Sequence, residues 1–262
     1  MPNPVITCLL NHRSIRKFQD RPLEHETLEL IIKAGVRAAT AGNLQHYSLI
    51  VVDDPMKMKV LLGEQETEHS TAIFAVVDTY RLKRWFELNR APFYFDQFEN
   101  LLISFWDAII ALHNIVIAAE SLGLGAFYIG NVLSMDLAGV LGTPEYVFPA
   151  GLALFGYPDE QPELAPRLPM EAVVHHNSYQ IPSDEQVGEY YRFKNQRWDE
   201  ISDEQRQKLL SQGITNWAQR VTLGHYTADF IESESQAIME NLHKAKFRLP
   251  SDPTYHAPRE AG

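Results

Sequence analysis

The run from Leu101 to Ala119 is the most apolar part of the chain, and it limits the possible folds more than any other feature. It is long enough to cross a bilayer as a helix. However, it contains Ser104, Asp107, His113 and Asn114, and such side chains are costly in the middle of a membrane. The run therefore predicts a helix buried in a protein core or between two subunits, and we expect no membrane partner.

Apolar, β-prone segments alternate with helical patterns through the first 160 residues. After a short helix at 3–11, the predicted strands are 47–54, 71–80, "GAFYIG" and 147–158, and the predicted helices are 24–40, 55–63 and 96–122. This order predicts an α/β or α+β sheet covered by helices.

The composition becomes polar beyond Pro169, where amphipathic segments predict helices at about 184–198, 203–211 and 226–246. The last stretch, 247–262, has three prolines and no periodicity. We expect it to form a frayed or swapped tail.

Charge and cysteine content exclude several classes of protein. The chain has 34 Asp and Glu against 23 Lys and Arg, a net charge of -11, whereas a nucleic-acid binder needs a broad basic face. A single cysteine, Cys8, excludes an internal disulfide and fits a reducing compartment. The first residues lack a signal-peptide pattern, so we expect a cytoplasmic protein that does not bind nucleic acid.

The basic heptapeptide "HRSIRKF", residues 12–18, is unusual in such an acidic chain. If it is extended, His12, Ser14 and Arg16 point to the same side, because side chains alternate along a strand. Donors and cations around a hydroxyl group suit a phosphate. The alternative is a solvated edge strand with scattered charges, and the heptapeptide alone does not decide between the two.

Three other segments carry groups that suit a bound ligand. "ATAGNLQHYS" is a small-residue loop in which Thr40, Asn43 and Gln45 can form hydrogen bonds, and "PELAPRLP" presents Arg167 between prolines. "SLGLGAFYIGN" contains glycines at 123, 125 and 130, which allow a backbone to approach a flat ligand closely.

These segments, in this order and spacing, resemble the FMN-dependent nitroreductases, specifically the NADPH-dependent nitroreductases and flavin reductases. The resemblance covers about residues 8–180. It implies an α+β fold with three α/β/α layers, a mixed and mainly antiparallel central sheet, and a homodimer with two FMN molecules at its interface. The FMN-binding core would then be 1–180, with a helical extension at 181–262 that packs on the core or on the partner subunit.

The resemblance also implies a set of cofactor-binding residues. His12, Arg13, Ser14 and Arg16 would hold the FMN phosphate with help from Arg167; Thr40 would lie near the flavin, Gln65 would reach its polar edge, and Tyr128, Ile129, Gly130 and Asn131 would lie along the ring.

One departure from the family pattern concerns the redox chemistry. The family commonly has a lysine two residues before the arginine of "PRLP", and this chain has Ala165. Without that cation we expect the anionic reduced flavin to be less stabilised, with a changed redox potential. Asn131, where a second glycine is common, narrows the space beside the ring.

The function that the resemblance implies is electron transfer from NAD(P)H through FMN to a nitroaromatic, a quinone or free flavin, by ping-pong kinetics. No catalytic side chain is expected, because the cofactor carries the chemistry. A non-catalytic flavin-storage protein on the same dimeric fold is the alternative, and a same-fold enzyme with other flavin chemistry is a third hypothesis.

NADPH is favoured over NADH as the co-substrate, because a 2′-phosphate requires cations. Arg192, Lys194 and Arg197 lie where the family carries such a loop, although an ordinary amphipathic helix with a solvated basic face is the favoured explanation of these three residues. No metal site is expected, since the adjacent His175 and His176 lack the spacing of a zinc helix.

Overall fold

The computed structural model describes residues 3–63, 70–250, 252 and 255. The chain divides into two compact units, the first formed by residues 1–164 and 236–262 and the second by 165–235. The division thus falls at 164/165 and 235/236 rather than at 180/181, and the end of the chain belongs to the first unit.

The first unit contains most of the regular structure. Its helices are α1 (Pro4–Leu10), α2 (His25–Gly35), α3 (Pro55–Leu62), α4 (Tyr80–Leu88), α5 (Phe98–Ser121) and α6 (Leu137–Leu141), and its strands are β1 (Tyr47–Val52), β2 (Thr71–Asp78), β3 (Gly125–Tyr128) and β4 (Val147–Gly156).

The strands form one sheet in the order β1-β2-β4-β3. All three pairs of neighbouring strands are antiparallel. The mainly antiparallel sheet is therefore confirmed, and no parallel pair of strands occurs among the described residues. β2 and β4 are buried along their whole length, as expected of central strands covered on both faces.

Two hydrophobic clusters cover the two faces of the sheet. On β2, Ile73 and Ala75 face a cluster that includes residues of α2 and α5. The intervening Phe74 faces the other cluster, with Met58 of α3 and Leu137 of α6. Because alternate side chains of a strand point to opposite faces, this separation gives the three α/β/α layers that the family resemblance implied.

Helix α5 corresponds to the apolar run. By length and composition it could cross a membrane, with a mean hydropathy of 1.9, but 44% of that window is buried inside the protein. Leu101, Ala108, Leu112 and Ile115 pack in the cluster against the sheet. The prediction of a core helix is therefore confirmed for one face of α5.

Two predictions of local structure are wrong. The strand predicted at 71–80 ends at Asp78, and Tyr80 begins a helix that the sequence analysis missed. The start of the predicted frayed or swapped tail lies inside the core, where Phe247 and Leu249 are buried, whereas 251, 253–254 and 256–262 lie outside the described residues. The burial of Phe247 and Leu249 fixes residues 247–249, despite the lack of periodicity that suggested fraying.

The second unit is built from short helices. These are α7 (Asp184–Tyr190), α8 (Arg192–Glu200), α9 (Asp203–Ser211) and α10 (Trp217–Gly224), followed by α11 (Ala228–Lys244), which begins in this unit and ends in the first. Helix α10 was missed, and the helix predicted at 184–198 is broken at Tyr191.

Candidate functional site

The basic segment 12–18 lies against the end of the sheet, over two glycines that are cross-strand partners. Ile15 and Phe18 are its buried side chains. A Cβ atom at Gly125 would lie 2.7 Å from Ile15 Cβ, and one at Gly156 would lie 2.6 Å from Phe18 Cδ1. Both glycines pair in the β3–β4 register, so they form one slot that holds the segment.

The segment does not alternate as predicted. Its buried positions, Ile15 and Phe18, are three residues apart, and its only bridge to another strand-like residue among those described joins Phe18 to Pro158. Without a continuous ladder, the side chains are not held to a period of two. Segment 12–18 is therefore an irregular strap rather than a strand.

His12 is paired with a carboxylate that the sequence analysis did not identify. His12 Nδ1 lies 2.6 Å from Glu120 Oε1, at the end of α5. The Glu120 side chain is 14% exposed, so water screens this pair weakly. The contact fixes the ring orientation and places a proton on Nδ1, as a carboxylate partner does for a histidine.

Arg13 and Arg16 differ from His12, because neither guanidinium pairs with a carboxylate among the described residues. Arg13 donates to carbonyl oxygens only, with Nη1 3.0 Å from the oxygen of Pro162. Arg16 is exposed, and its Cζ lies 5.5 Å from the centre of the Phe127 ring. Ser14, between them, is half-buried.

A groove of about 1290 Å³ borders this segment. Arg13, Ile15 and Glu120 line it together with Cys8 of α1 and the loop 158–161. Burial, with a smaller effect of the Glu120 charge, raises the pKa of the Cys8 thiol, so this side chain is not an activated nucleophile.

The loop that follows β4 ties the segment in place. The amide of Gln19 donates to the carbonyl oxygen of Tyr157 at 2.9 Å, and the amide of Asp159 donates to that of Lys17, also at 2.9 Å. The two stretches of chain therefore hold each other through the backbone, over the same residues that carry the positive charge.

Tyr128 lies at the end of β3, close to α5. Its hydroxyl group is 3.2 Å from His113 Nδ1. Burial, with a further effect of the Glu120 charge, raises the pKa of Tyr128 to about 12. The phenol therefore stays protonated at any physiological pH and can serve as a hydrogen-bond donor.

Residues 129–131 follow Tyr128 and end at an open part of the surface. The amide of Ile129 donates to the carbonyl oxygen of Leu152 at 3.0 Å, which continues the β3–β4 pairing. Gly130 and Asn131 are exposed, and a Cβ atom at Gly130 would meet nothing within 4 Å. Gly130 thus matches the prediction of a backbone open to a ligand. Gly125 does not, because its bare Cα accommodates Ile15.

The loop that carries Thr40 is anchored to a different part of α5. The amide of Ala41 donates to Asp107 Oδ1 at 3.0 Å, while Thr40 is half-buried. Asn43 and Gln45 have φ angles of 55° and 54°, a left-handed conformation that is uncommon outside glycine. Such a conformation is frequent at functional loops.

A buried histidine lies at the end of this loop. His46 is 2% exposed, and its Nδ1 is 3.5 Å from Asp107 Oδ2. Burial lowers the pKa of His46, although the Asp107 charge opposes the effect. The ring is therefore neutral, and it packs 5.5 Å from the ring of Phe95.

The Thr40 loop and the basic segment lie at different levels of α5. The loop is anchored at Asp107 and the segment at Glu120, thirteen positions further along the same helix. At 1.5 Å per residue, these anchors are separated by roughly 20 Å along the axis. Within one chain the structure does not bring Thr40 to His12.

Arg167 and Gln65 are the remaining residues that the family resemblance implied as cofactor ligands. Arg167 lies in the second unit, exposed, and its Nη1 donates to the carbonyl oxygen of Ala165 at 3.1 Å. Gln65 lies outside the described residues.

The three cations predicted for NADPH have different environments. Arg192 is paired with Glu189, one helical turn away. Lys194 Nζ lies 5.5 Å from the centre of the Phe193 ring, and Arg197 Cζ lies 5.5 Å from that of Trp217. The structure therefore does not gather the three side chains on one aromatic group.

Arg197 instead shares its indole with a residue from another helix. Arg220 Cζ is 4.4 Å from the centre of the Trp217 ring, and neither guanidinium pairs with a carboxylate among the described residues. A groove of about 560 Å³ lies here, lined by Trp217, Arg220, Lys208 and His225. This second cationic site was missed, because its residues are far apart in the sequence.

Three acidic residues with structural consequences were also missed: Asp107, Glu120 and Glu160. Asp107 and Glu120 lie within and just after the apolar run of α5. The sequence could have identified both residues, because a carboxylate in or beside an apolar run tends to be buried and a buried charge needs a partner. No comparable signal marked Glu160, which lies in a polar loop.

Comparisons with known proteins agree on one family. The chain matches the model of the Nitroreductase family over residues 9–157. It is 35% identical over 231 residues to a Bacillus subtilis protein named FMN reductase (NADPH), covering 84% of this chain and 90% of that protein. It is 32% identical to a Cr(VI) reductase of a Pseudomonas species, covering 91% of this chain and 97% of the relative.

A solved structure gives the same result. The NADPH:FMN oxidoreductase from Vibrio harveyi, complexed with NAD+, superposes with a TM-score of 0.75 and 29% sequence identity. The match covers 95% of this chain and all of the other. The similarity therefore extends over both units rather than over a shared core alone.

Proposed function

The chain belongs to the nitroreductase family and is an FMN-dependent oxidoreductase reduced by NAD(P)H; within that activity, we propose which of its residues hold the cofactor and the co-substrate. His12, Arg13, Ser14 and Arg16 form a phosphate cradle, a name we use for these four residues. The observation that carries this assignment is the pair of guanidiniums on segment 12–18 that form no salt bridge with a described carboxylate.

The residues present fit FMN. A dianionic phosphate requires cations that are not already in a salt bridge, and the guanidiniums of Arg13 and Arg16 meet that requirement. Arg13 lines an open groove, and Arg16 is exposed. The planar ring requires a backbone without bulky side chains, and Gly130 faces open space. The exposed Asn131 lies next to it.

Bound FMN supplies the hydride-accepting and electron-donating chemistry that side chains lack. The chain's own residues bind and orient. Arg13 and Arg16 hold negative charge, Glu120 keeps a proton on His12 Nδ1, and Tyr128 remains an uncharged donor. Arg167 and Gln65 belong to the same proposal, on the strength of their positions in the sequence pattern alone.

We also propose that the protein is a homodimer. Helix α5 is buried on one face, yet Leu102, Trp106, Ile109 and Ile110 form an apolar stripe on the other, with Trp106 65% exposed. Such a stripe on a core helix indicates a protein interface. The four residues of this stripe support the sequence-based expectation that α5 lies between two subunits.

A second subunit also explains the position of Thr40. The anchors of the Thr40 loop and of the cradle are roughly 20 Å apart along α5. Since α5 is proposed to run along a two-fold interface, the partner subunit's Thr40 approaches the cradle of the first chain. Each FMN site would then combine residues from both chains.

NADPH is the proposed co-substrate, and we place its 2′-phosphate and adenine in the groove at Trp217. The indole and the guanidiniums of Arg197 and Arg220 offer stacking and charge together. Lys208 adds a third cation on the groove wall. We propose this set in place of Arg192, which pairs with Glu189, and Lys194, which lies beside the Phe193 ring.

The acceptor is a small molecule, and we propose nitroaromatics, quinones or free flavin, which would be reduced by ping-pong kinetics. The relatives whose names state a function are reductases, so nothing favours the flavin-storage alternative. We further propose a cytoplasmic location, which the free thiol of Cys8 supports.

The visible spectrum of the purified protein tests the cofactor and the activity together. We expect oxidised-flavin absorbance, which bleaches on anaerobic addition of NADPH and returns when a quinone is added. A protein that neither carries FMN nor binds it on reconstitution would contradict the proposed function. Flavin that NADPH and NADH both fail to bleach would favour storage.

A further inference from the structure

The phosphate cradle is held by an acidic residue. Glu160 lies in the loop after β4, and one of its oxygens, Oε1, accepts hydrogen bonds from two successive backbone amides. The amide nitrogen of Arg16 is 2.6 Å away and that of Lys17 is 3.1 Å away. The amide of Arg16 is the main reason why the pKa of Glu160 is lowered.

This contact determines the direction of the peptide between the two cations. Two adjacent amides can converge on one oxygen only when the chain turns around it. The side chain of Arg16 then leaves on the side of Phe127, 5.5 Å from its ring centre. Phe127 lies in β3, just before the open backbone at 130.

Two opposite effects on FMN binding follow from a carboxylate at this place. Its negative charge repels a phosphate held by the cradle, but that effect acts through solvent and is screened. Its hydrogen bonds fix the backbone of Arg16, a predicted phosphate ligand. Misplacing such a ligand by about an ångström is costly for binding. The second effect is local and acts directly on the backbone, so we expect it to dominate.

We propose that Glu160 is a positioning residue, which raises the affinity for FMN by holding the backbone of Arg16 and Lys17 without touching the cofactor. The inference rests on the proposed function, since it assumes that the cradle binds the FMN phosphate. The proposal gives a carboxylate a favourable role in binding an anion. From its charge alone, Glu160 would be expected to weaken such a site.

The test is titration of cofactor-stripped protein with FMN, followed by fluorescence quenching. Glu160→Ala should raise the Kd for FMN roughly tenfold, the equivalent of one charge-assisted hydrogen bond. Glu160→Gln should stay within about threefold of the parent, because its amide oxygen still accepts both bonds. The KM for NADPH, measured at saturating FMN, should not change.

Asp159→Asn is the matched control. It removes a neighbouring negative charge that lines the same groove, and it leaves the backbone bond from Asp159 to Lys17 intact. We expect its Kd for FMN to equal that of the parent or to fall slightly. Circular dichroism and a thermal melt of every variant separate lost positioning from lost folding.

Glu160→Asp covers the case in which the alanine variant fails to fold. The shorter side chain keeps the charge but cannot reach both amides, so we expect weakening similar to that of alanine. The proposal is overturned if alanine or aspartate binds FMN as tightly as the parent, or if glutamine is as weak as alanine. If the parent itself does not bind FMN, the proposed function fails instead.

Discussion

The two cationic sites of this acidic chain are held in contrasting ways. The cradle at 12–18 is strapped over Gly125 and Gly156 and tied by backbone hydrogen bonds to the loop after β4. The second-unit cations, Arg197 and Arg220, lie on short helices, and the guanidiniums of both lie over the face of Trp217 with no salt bridge to a described carboxylate. Backbone restraint gives fixed geometry, whereas two flexible side chains on an indole can adapt.

The difference matches the two ligands proposed. A cofactor that stays bound through many turnovers gains from a rigid site, because little entropy is lost on binding. A co-substrate that must leave before the acceptor enters needs weaker and more adaptable contacts. Cradle changes should therefore alter cofactor retention, and changes at Trp217 should alter the KM for NADPH.

The largest expected effect comes from splitting the proposed dimer, because the proposed FMN site includes a second chain and the proposed NADPH groove at Trp217 does not. Trp106→Glu places a charge in the apolar stripe of α5, where it would be buried without a partner. We expect monomers by analytical ultracentrifugation and loss of bound FMN.

Trp85→Glu is the control for that variant. Trp85 is also an exposed tryptophan, on α4 and outside the stripe. It should leave the dimer and the flavin content unchanged. Dimeric Trp106→Glu protein with full FMN would refute the proposed interface and the shared site.

The next effect tests the rigid site directly. Arg16→Ala removes a charged contact to phosphate, a loss of about 2 kcal/mol or roughly 30-fold in the Kd for FMN. The KM for NADPH at saturating FMN should be unaffected. Lys17→Ala removes the same charge from the next residue of the segment and should change the Kd far less; equal losses in both variants would mean that only net charge matters.

A smaller effect is expected at the adaptable site. Arg220→Ala should raise the KM for NADPH about tenfold, with FMN content unchanged, because one of two guanidiniums remains on the indole. The KM for NADH should rise much less, since NADH lacks the 2′-phosphate. Lys194→Ala is the control variant. A larger rise in the KM for NADPH in Lys194→Ala than in Arg220→Ala would favour the original prediction that Arg192, Lys194 and Arg197 bind NADPH.

The smallest effect is that of salt. The guanidinium of Arg197 is exposed, so ionic strength should screen its attraction for a phosphate. Between about 50 and 500 mM salt we expect the KM for NADPH to rise a few-fold, and by a larger factor than the Kd for FMN. If salt raised the Kd for FMN by a larger factor than the KM for NADPH, the proposed difference between a rigid FMN site and an adaptable NADPH site would be wrong.

Sequence patterns predicted the elements with strong local signals. Helix α5 was placed within two residues at its start and one at its end, because an apolar period is a property of neighbouring residues. The four strands were found for the same reason. The strap at 12–18 was recognised as cationic, but its extended alternation was wrong, since no partner strand imposes a ladder on it.

The sequence by itself determined most of the helices and strands of the first unit, because apolar periods are carried by short stretches of chain. Its ordered motifs also determined the family, and the resemblance to that family implied the layers. Only the tertiary structure decided that Gly125 makes room for Ile15, that Glu120 pairs with His12, that Glu160 accepts hydrogen bonds from the amides of segment 12–18, and that Arg197 and Arg220 share Trp217. Each of these contacts joins residues far apart along the chain. Their meeting depends on how the elements pack, which no local pattern encodes.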